Sequence, residues 1–435
     1  MSEMILDAAQ LPDPESVPIE DIDVSHPILL QQDLWQPYFA RMRKEDPVHY
    51  CKNSLFGAYW SITKFNDIME IEKNHEVFSS DRDITIFDQS MLDELGIPRS
   101  KRDTSNFISM DPPVHDEQRK AVQGVVAPRN LSKMESLIRQ RVINILESLP
   151  VNEEFNWVEK VSIELTTQML ATLFDFPFED RYKLPYWSDV ATSLPELGIG
   201  VPGLTREVQE EALEECLATM RKLWAQRANM PADNDTDLLS MLAHNPATYD
   251  MDDDMFLGNL ILLIVGGNDT TRNSITGGVL ALNQNPAEYD KLRNNHGLIQ
   301  NMVSEIIRWQ TPLSHMRRTA TRDFEFRGKT IKKGDKVVMW YISGNRDDEV
   351  IADADKFIID RKNARHHVSF GFGIHRCMGN RLAEMQLRVL WEEIMKRFEK
   401  IEVVGEPERV ASNFVKGYTK LPVKIIPLKA ASDQV

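Results

Sequence analysis

The ten residues FGFGIHRCMG, Phe370 to Gly379, constrain this chain more than any other stretch. Three glycines and a cysteine are crowded into a loop that runs directly into NRLAEMQLRVLWEEIMKRF. Apolar residues in that second segment recur at three- and four-residue spacing, which predicts a helix over 380–398. Cys377 then stands just before the first helical turn, where unpaired N–H groups and the helix dipole favour a negative sulfur. Gly371, Gly373 and Gly379 let the backbone curl round that sulfur and bring a flat group close to it. A thiolate so placed serves as a nucleophile or a metal ligand, and a buried inert cysteine is the third possibility. No base or orienting partner for a nucleophile is visible nearby in the sequence.

The other cysteines narrow the choice. Cys51, Cys216 and Cys377 are far apart and lack CxxC spacing. They assemble neither a disulfide framework nor a zinc or iron–sulfur site. A lone soft ligand suits a preassembled cofactor that brings its other ligands, haem foremost. The cysteine count also fits a reducing compartment, and the acidic, proline-broken N-terminus shows no signal-peptide pattern. The longest apolar run, MFLGNLILLIV, is too short to span a bilayer. A cytoplasmic protein without a membrane span is expected. Net charge of −16 argues against a nucleic-acid partner.

Helical periodicity recurs over 131–149, 163–173, 207–229, 255–283 and 298–310. Strand patterns are fewer: PVHYCKN into GAYWSIT, then FEFRGKTIKKGDKVVMWYI, then KLPVKIIPL. The predicted fold class is mainly α with a smaller, mostly antiparallel β portion. It forms a single domain over 1–435, with 1–30 a loosely ordered N-terminal arm. The Gly- and Pro-rich stretch SLPELGIGVPGLTRE, residues 193–207, reads as a lid between two helices.

Three further motifs accompany the cysteine loop. In LLIVGGNDTTRNS, Gly266 and Gly267 weaken a helix interior by roughly 1 kcal/mol each relative to Ala. They serve either close helix packing or close approach to a ligand. Asp269 and Thr270 follow, an acid and a hydroxyl suited to proton delivery. Thr270 is also able to loosen the helix by bonding back to a carbonyl. In EIIR, Glu305 and Arg308 lie three residues apart on one helix face. In DPPVHDEQRK, His115 and Arg119 present two donors on one helix face, suited to carboxylates. Taken singly, the last two motifs are ordinary surface charge.

Together and in this order, the four resemble the cytochrome P-450 family of haem-thiolate monooxygenases. FGFGIHRCMG is similar to that family's cysteine loop, GGNDTT to its oxygen-activating helix, EIIR to its ExxR pair and DPPVHDEQR to its haem-clamping helix. FIIDR departs by lacking a proline often found there, although Arg361 is kept. The resemblance implies the cytochrome P-450 fold and haem b (iron protoporphyrin IX), with Cys377 as axial iron ligand. His115, Arg119, Arg318 and His375 would hold the propionates, Arg317 leaving the register open by one. Glu305, Arg308 and Arg361 would form a buried ionic triad behind the loop. Asp269 and Thr270 would route protons during O2 activation.

Within the family, EIIRWQTPLSHMRRTA and TTQMLATLFDFPFEDR resemble soluble bacterial terminal (omega) hydroxylases of medium-chain alkanes and fatty acids. That implies a small, linear, apolar substrate, with Ile108, Leu262, Val265, Gly266, Leu313 and Phe414 as its contacts. A sterol side chain or terpenoid is the alternative substrate, and a non-catalytic haem-thiolate sensor or carrier the alternative class. No flavin or ferredoxin module is visible. Electrons from NAD(P)H are therefore expected through a separate [2Fe–2S] ferredoxin and ferredoxin reductase. Arg376, Arg381, Arg388 and Lys120 are candidates for a basic docking patch.

Overall fold

A computed structural model describes residues 11–428, apart from 82, 88–92, 94–95, 97–100, 102–103 and 232–236. The apolar run at 255–265 opens a helix of 32 residues, Asp253–Gln284, about 48 Å long at 1.5 Å per residue. Asp252 caps it, its carboxylate accepting the Met255 N–H at 2.8 Å. Helices Glu164–Leu173, Lys183–Ala191, Ile299–Gln310 and Asn380–Arg397 pack around this central helix. Their apolar faces merge into one large core cluster.

The β portion is mostly antiparallel, as predicted. The largest sheet runs in the order Val48–Cys51, Tyr59–Ile62, Lys336–Met339, Met316–Ala320, Phe78–Ser79. Only the pairing of Tyr59–Ile62 with Lys336–Met339 in that sheet is parallel. A second sheet joins Phe155–Asn156, Pro422–Pro427 and Phe398–Val403. Met316–Ala320 and Phe398–Val403 were not anticipated. The predicted helix over 380–398 ends at Arg397, where the chain passes straight into the second of these strands.

The expectation of a loose arm over 1–30 is corrected from Leu11 onward, residues 1–10 lying outside the described residues. Ile22, Val24, Leu29 and Leu30 are buried against Trp35, Phe39 and Trp340. Prolines and acids in this stretch interrupt helix without preventing burial, because the apolar residues between them find partners distant in sequence. The first half of the 193–207 stretch is likewise packed down, while Pro202, Gly203, Thr205 and Glu207 are exposed. Leu194, Leu197 and Ile199 join the same cluster, and the Gly200 N–H donates to the Ala411 carbonyl at 2.9 Å.

Candidate active site

The cysteine loop is shaped from behind by a buried polar network. Glu305 and Arg308 are both fully buried, and Arg308 grips the carboxylate through Nε at 2.8 Å and Nη2 at 2.7 Å. Its remaining N–H groups donate to the carbonyls of Asn345, Ala354 and Lys356. Arg361 Nε reaches Glu305 at 3.1 Å, completing the predicted triad. Asn345 carries the order forward: it donates to Thr311 and Ser369, and accepts the Val368 N–H at 2.8 Å. The Cys377 N–H then closes the loop on the Phe370 carbonyl at 2.8 Å.

Gly371 and Gly373 adopt φ values of 65° and 67°, the left-handed region. A Cβ on Gly373 would stand 2.4 Å from the Glu72 carbonyl oxygen, so only glycine fits beneath helix Phe65–Lys73. Cys377 is surface-accessible, yet desolvation by its surroundings raises its thiol pKa. The sulfur is thus reachable, while the protein atoms around it disfavour its charged form. The Gly379 and Asn380 N–H groups and the nearby Arg119 pull the pKa back down. Helix-end stabilisation is therefore present, but in the cofactor-free protein it is outweighed by burial.

The predicted carboxylate-binding residues converge here. His115 and His375 stack edge to face with ring centroids 4.3 Å apart. His115 Nδ1 meets Asp116 at 2.7 Å, while its Nε2 and both ring nitrogens of His375 are buried without a hydrogen-bond partner. Burial, with Arg318 and His115 adding repulsion, holds His375 neutral, its pKa pushed down to about 2. Arg119 donates to the Arg376 carbonyl. Arg318, not Arg317, faces the loop: it lowers the His375 pKa, whereas Arg317 turns toward Asp83 at 3.6 Å. Sequence reasoning missed Glu72, which holds Arg318 at 2.8 Å and accepts from the Tyr341 hydroxyl. No local pattern signals a contact between residues so distant along the chain.

On the central helix the two adjacent glycines divide the two roles open to them. A Cβ on Gly267 would strike Leu170 at 2.8 Å, so this position serves helix packing. A Cβ on Gly266 would meet nothing within 4 Å, so this position faces free space in mid-helix. The Thr270 hydroxyl donates to the Gly266 carbonyl at 3.0 Å, the back-bond anticipated from sequence.

Asp269 is buried, accepting from Asn268 at 3.0 Å and Ser188 at 3.2 Å, with Arg272 at 3.1 Å. Desolvation raises its pKa to about 6, against the pull of Arg272. Arg272 also bonds Asp189, whose side chain is 36% exposed and so connects the buried acid to solvent. Asp189, Ser188 and Arg272 were likewise invisible in the sequence.

Ile108, Val265, Leu313 and Phe414 are only partly buried and belong to none of the packed core clusters. Leu262, by contrast, packs against the main core. Leu313 and Phe414 are brought together by a bridge between Leu313 and Val415, and by the Ser314 N–H donating to the Phe414 carbonyl at 2.8 Å. Ile108 reaches the central helix through its neighbour, since the Phe107 N–H donates to Asn259 at 3.0 Å.

These residues fit haem. An accessible thiol, three unpaired imidazole nitrogens, nearby guanidiniums and a helix face opened at Gly266 match an iron porphyrin bearing two carboxylates. Among the described residues, no group of three or more His, Cys, Asp or Glu side chains is arranged to hold a metal ion. A lone thiolate therefore suits a metal that arrives with four ligands of its own.

Comparison with known proteins agrees: residues 118–425 match the cytochrome P450 family. The chain belongs to that family, whose members use haem b and electrons drawn from NAD(P)H. It is 46% identical to the solved structure of CYP153D17 from Sphingomonas sp. PAMC 26605, with a TM-score of 0.85, covering 93% of this chain and 98% of that one. It is 35% identical to linalool 8-monooxygenase of Pseudomonas putida, over 94% of this chain and 100% of the relative. It is 30% identical to methyl-branched lipid omega-hydroxylase of Mycobacterium tuberculosis, over 94% of this chain and 96% of the relative. The protein is a haem-dependent monooxygenase. Among the described residues, no helix is long and apolar enough to cross a membrane.

Proposed function

We propose that this monooxygenase hydroxylates the terminal methyl of medium-chain alkanes or fatty acids, working in the cytoplasm. The observation that carries this reading is the set of apolar side chains left outside the packed core, Ile108, Val265, Leu313 and Phe414. They favour an uncharged chain end over a polar ligand. The likeness to a relative named an omega-hydroxylase supports it. A methyl C–H bond is stronger than its methylene neighbours, so terminal attack requires walls that admit only the chain end. The hydrogen-bonded pairing of Leu313 with the Phe414 segment supplies one rigid wall.

Bound through Cys377, haem supplies the activation of O2. His115, Arg119, Arg318 and His375 orient it through its carboxylates, with Glu72 positioning Arg318. Asp269, its pKa raised to about 6, takes up and releases a proton within the protein interior, while Arg272, which stays charged, tethers it to the solvent-facing Asp189. The Thr270 hydroxyl, on the same helix face as Gly266, gives its proton to the Gly266 carbonyl and so offers oxygen lone pairs that accept a hydrogen bond from a group in the open space.

Electrons come from a separate [2Fe–2S] ferredoxin and its reductase. Arg376, Arg381 and Lys120 are exposed and suit an acidic partner. Arg388 is committed to Glu135 at 2.9 Å and Glu392 at 2.8 Å, and drops out of that patch.

The test is product regiochemistry. With a surrogate ferredoxin and reductase, octane and dodecanoic acid should give mainly terminal alcohols, separated by mass spectrometry. Leu313→Ala should shift oxidation inward. Inner alcohols alone, or no coupled turnover of either chain, would favour the second reading, a terpenoid or sterol side chain. That reading draws on the likeness to linalool 8-monooxygenase.

A further inference from the structure

Away from the haem-facing residues, four charged groups gather round the indole of Trp35. Its Nε1 donates to Asp33 at 2.9 Å. Lys416 Nζ lies 5.2 Å from a Trp35 ring centroid and the Arg346 guanidinium 5.6 Å. Arg409 approaches Asp33 at 3.4 Å. Asp33 lies in the field of all three cations, while Asp355 and Glu305 also act on Arg346 and Arg308 adds a further positive charge beside it, inside a chain whose net charge is −16.

The cations differ in how far they are satisfied. Arg346 stacks on Trp309 at 3.6 Å and donates to the Ala354 and Trp309 carbonyls at 3.2 Å each. Lys416 is only 7% exposed, and among the described residues its ammonium has the Trp35 ring and the field of Asp33 but no hydrogen bond or salt bridge. Arg409 Nε is also buried without a partner. A buried ammonium without a hydrogen-bonded counter-ion is unfavourable. Burial accordingly lowers the Lys416 pKa to about 8, with Asp33 the only group that raises it.

We propose that Lys416, Arg409 and Arg346, beside Trp35, form a binding site for a small monovalent anion. The unused donors are the three ammonium protons of Lys416 and the single Nε–H of Arg409. That set suits a halide-sized ion better than a bulky oxyanion. An ion there ties together three segments distant in sequence: residues 33–35, Arg346, and the 409–416 stretch that ends two residues past Phe414. Occupancy therefore fastens the N-terminal region to the segment that carries a substrate wall.

The test follows thermal unfolding of the haem-loaded protein in sodium gluconate, whose anion is too large for the site, while sodium bromide replaces it at constant ionic strength. The wild-type midpoint should rise with bromide and saturate. Lys416→Met should begin at or above the wild-type gluconate midpoint, because the unpaired charge is gone, and should lose the saturable rise. Equal responses from the two proteins, or no dependence on bromide, would overturn the proposal. Bromide-soaked crystals of the holoenzyme give an independent readout. Anomalous density within hydrogen-bonding distance of Lys416 Nζ is expected, and bromide confined to the outer surface would overturn the site.

Discussion

The network behind the cysteine loop and the surface in front of it contain the same kinds of residue in opposite states. Behind, the five guanidinium donors of Arg308 are met by five hydrogen bonds at 2.7–3.0 Å. In front, His115 and His375 leave three buried nitrogens with nothing to bond. A satisfied polar network specifies a structure; an unsatisfied one marks where a ligand's polar groups belong. The same contrast separates Gly267, pressed against Leu170, from Gly266, which faces empty space.

The strongest way to break the contrast is to open the satisfied side. Arg308→Ala leaves the buried Glu305 carboxylate with Arg361 as its remaining cation and frees three backbone carbonyls, at a cost of about 3–5 kcal/mol. Little folded, haem-containing protein should be recovered on expression, and a normal haem content would remove the network from its structural role.

Next comes the proton route. Asp269→Asn should lower the rate of product formation about a hundredfold, in line with loss of a positioned acid–base group. Fewer Asp269 side chains are protonated as pH rises through about 6. Wild-type product formation should therefore fall across that interval, and the limb should vanish in the variant. The same shift bears on stability. A carboxyl whose folded pKa is raised from 3.8 to about 6 favours the folded state below about pH 4, and that benefit is lost as pH rises through 6.

Gly373→Ala forces a Cβ toward the Glu72 carbonyl at a positive φ. It should lower stability by roughly 1–3 kcal/mol in denaturant unfolding. An unshifted midpoint would mean that the loop yields easily.

The smallest effect sharpens the comparison most. His375→Phe removes two unpaired nitrogens, so the cofactor-free protein should be as stable as wild type or slightly more so. Its retention of haem against transfer to apomyoglobin should nevertheless weaken. Marked destabilisation of the cofactor-free variant would class His375 with the structural network.

Much of this was legible along the chain, because local spacing carries it. The cysteine loop, the helix after it, the Glu305–Arg308 spacing and the Asp269–Thr270 pair are each contained within a few residues. Helix periodicity is similarly local, and so survived the comparison with the structure. Strands Met316–Ala320 and Phe398–Val403 escaped because their stability lies in pairing with segments far away in sequence. The N-terminal arm was misjudged for the same reason: its proline-rich composition speaks against helix, and says nothing of a distant apolar cluster ready to receive Ile22 and Val24.

By itself, then, the sequence determined the cysteine, its loop, the helices and the family they resemble, since all of these depend on near neighbours. Only the tertiary structure decided that Arg318 rather than Arg317 faces the loop. It alone joined Glu72 to Arg318, linked Asp269 through Arg272 to Asp189, and buried Lys416 against Trp35 without a salt bridge among the described residues. Charge pairing and desolvation depend on distances through space, and residues hundreds of positions apart acquire those distances only when the chain has folded.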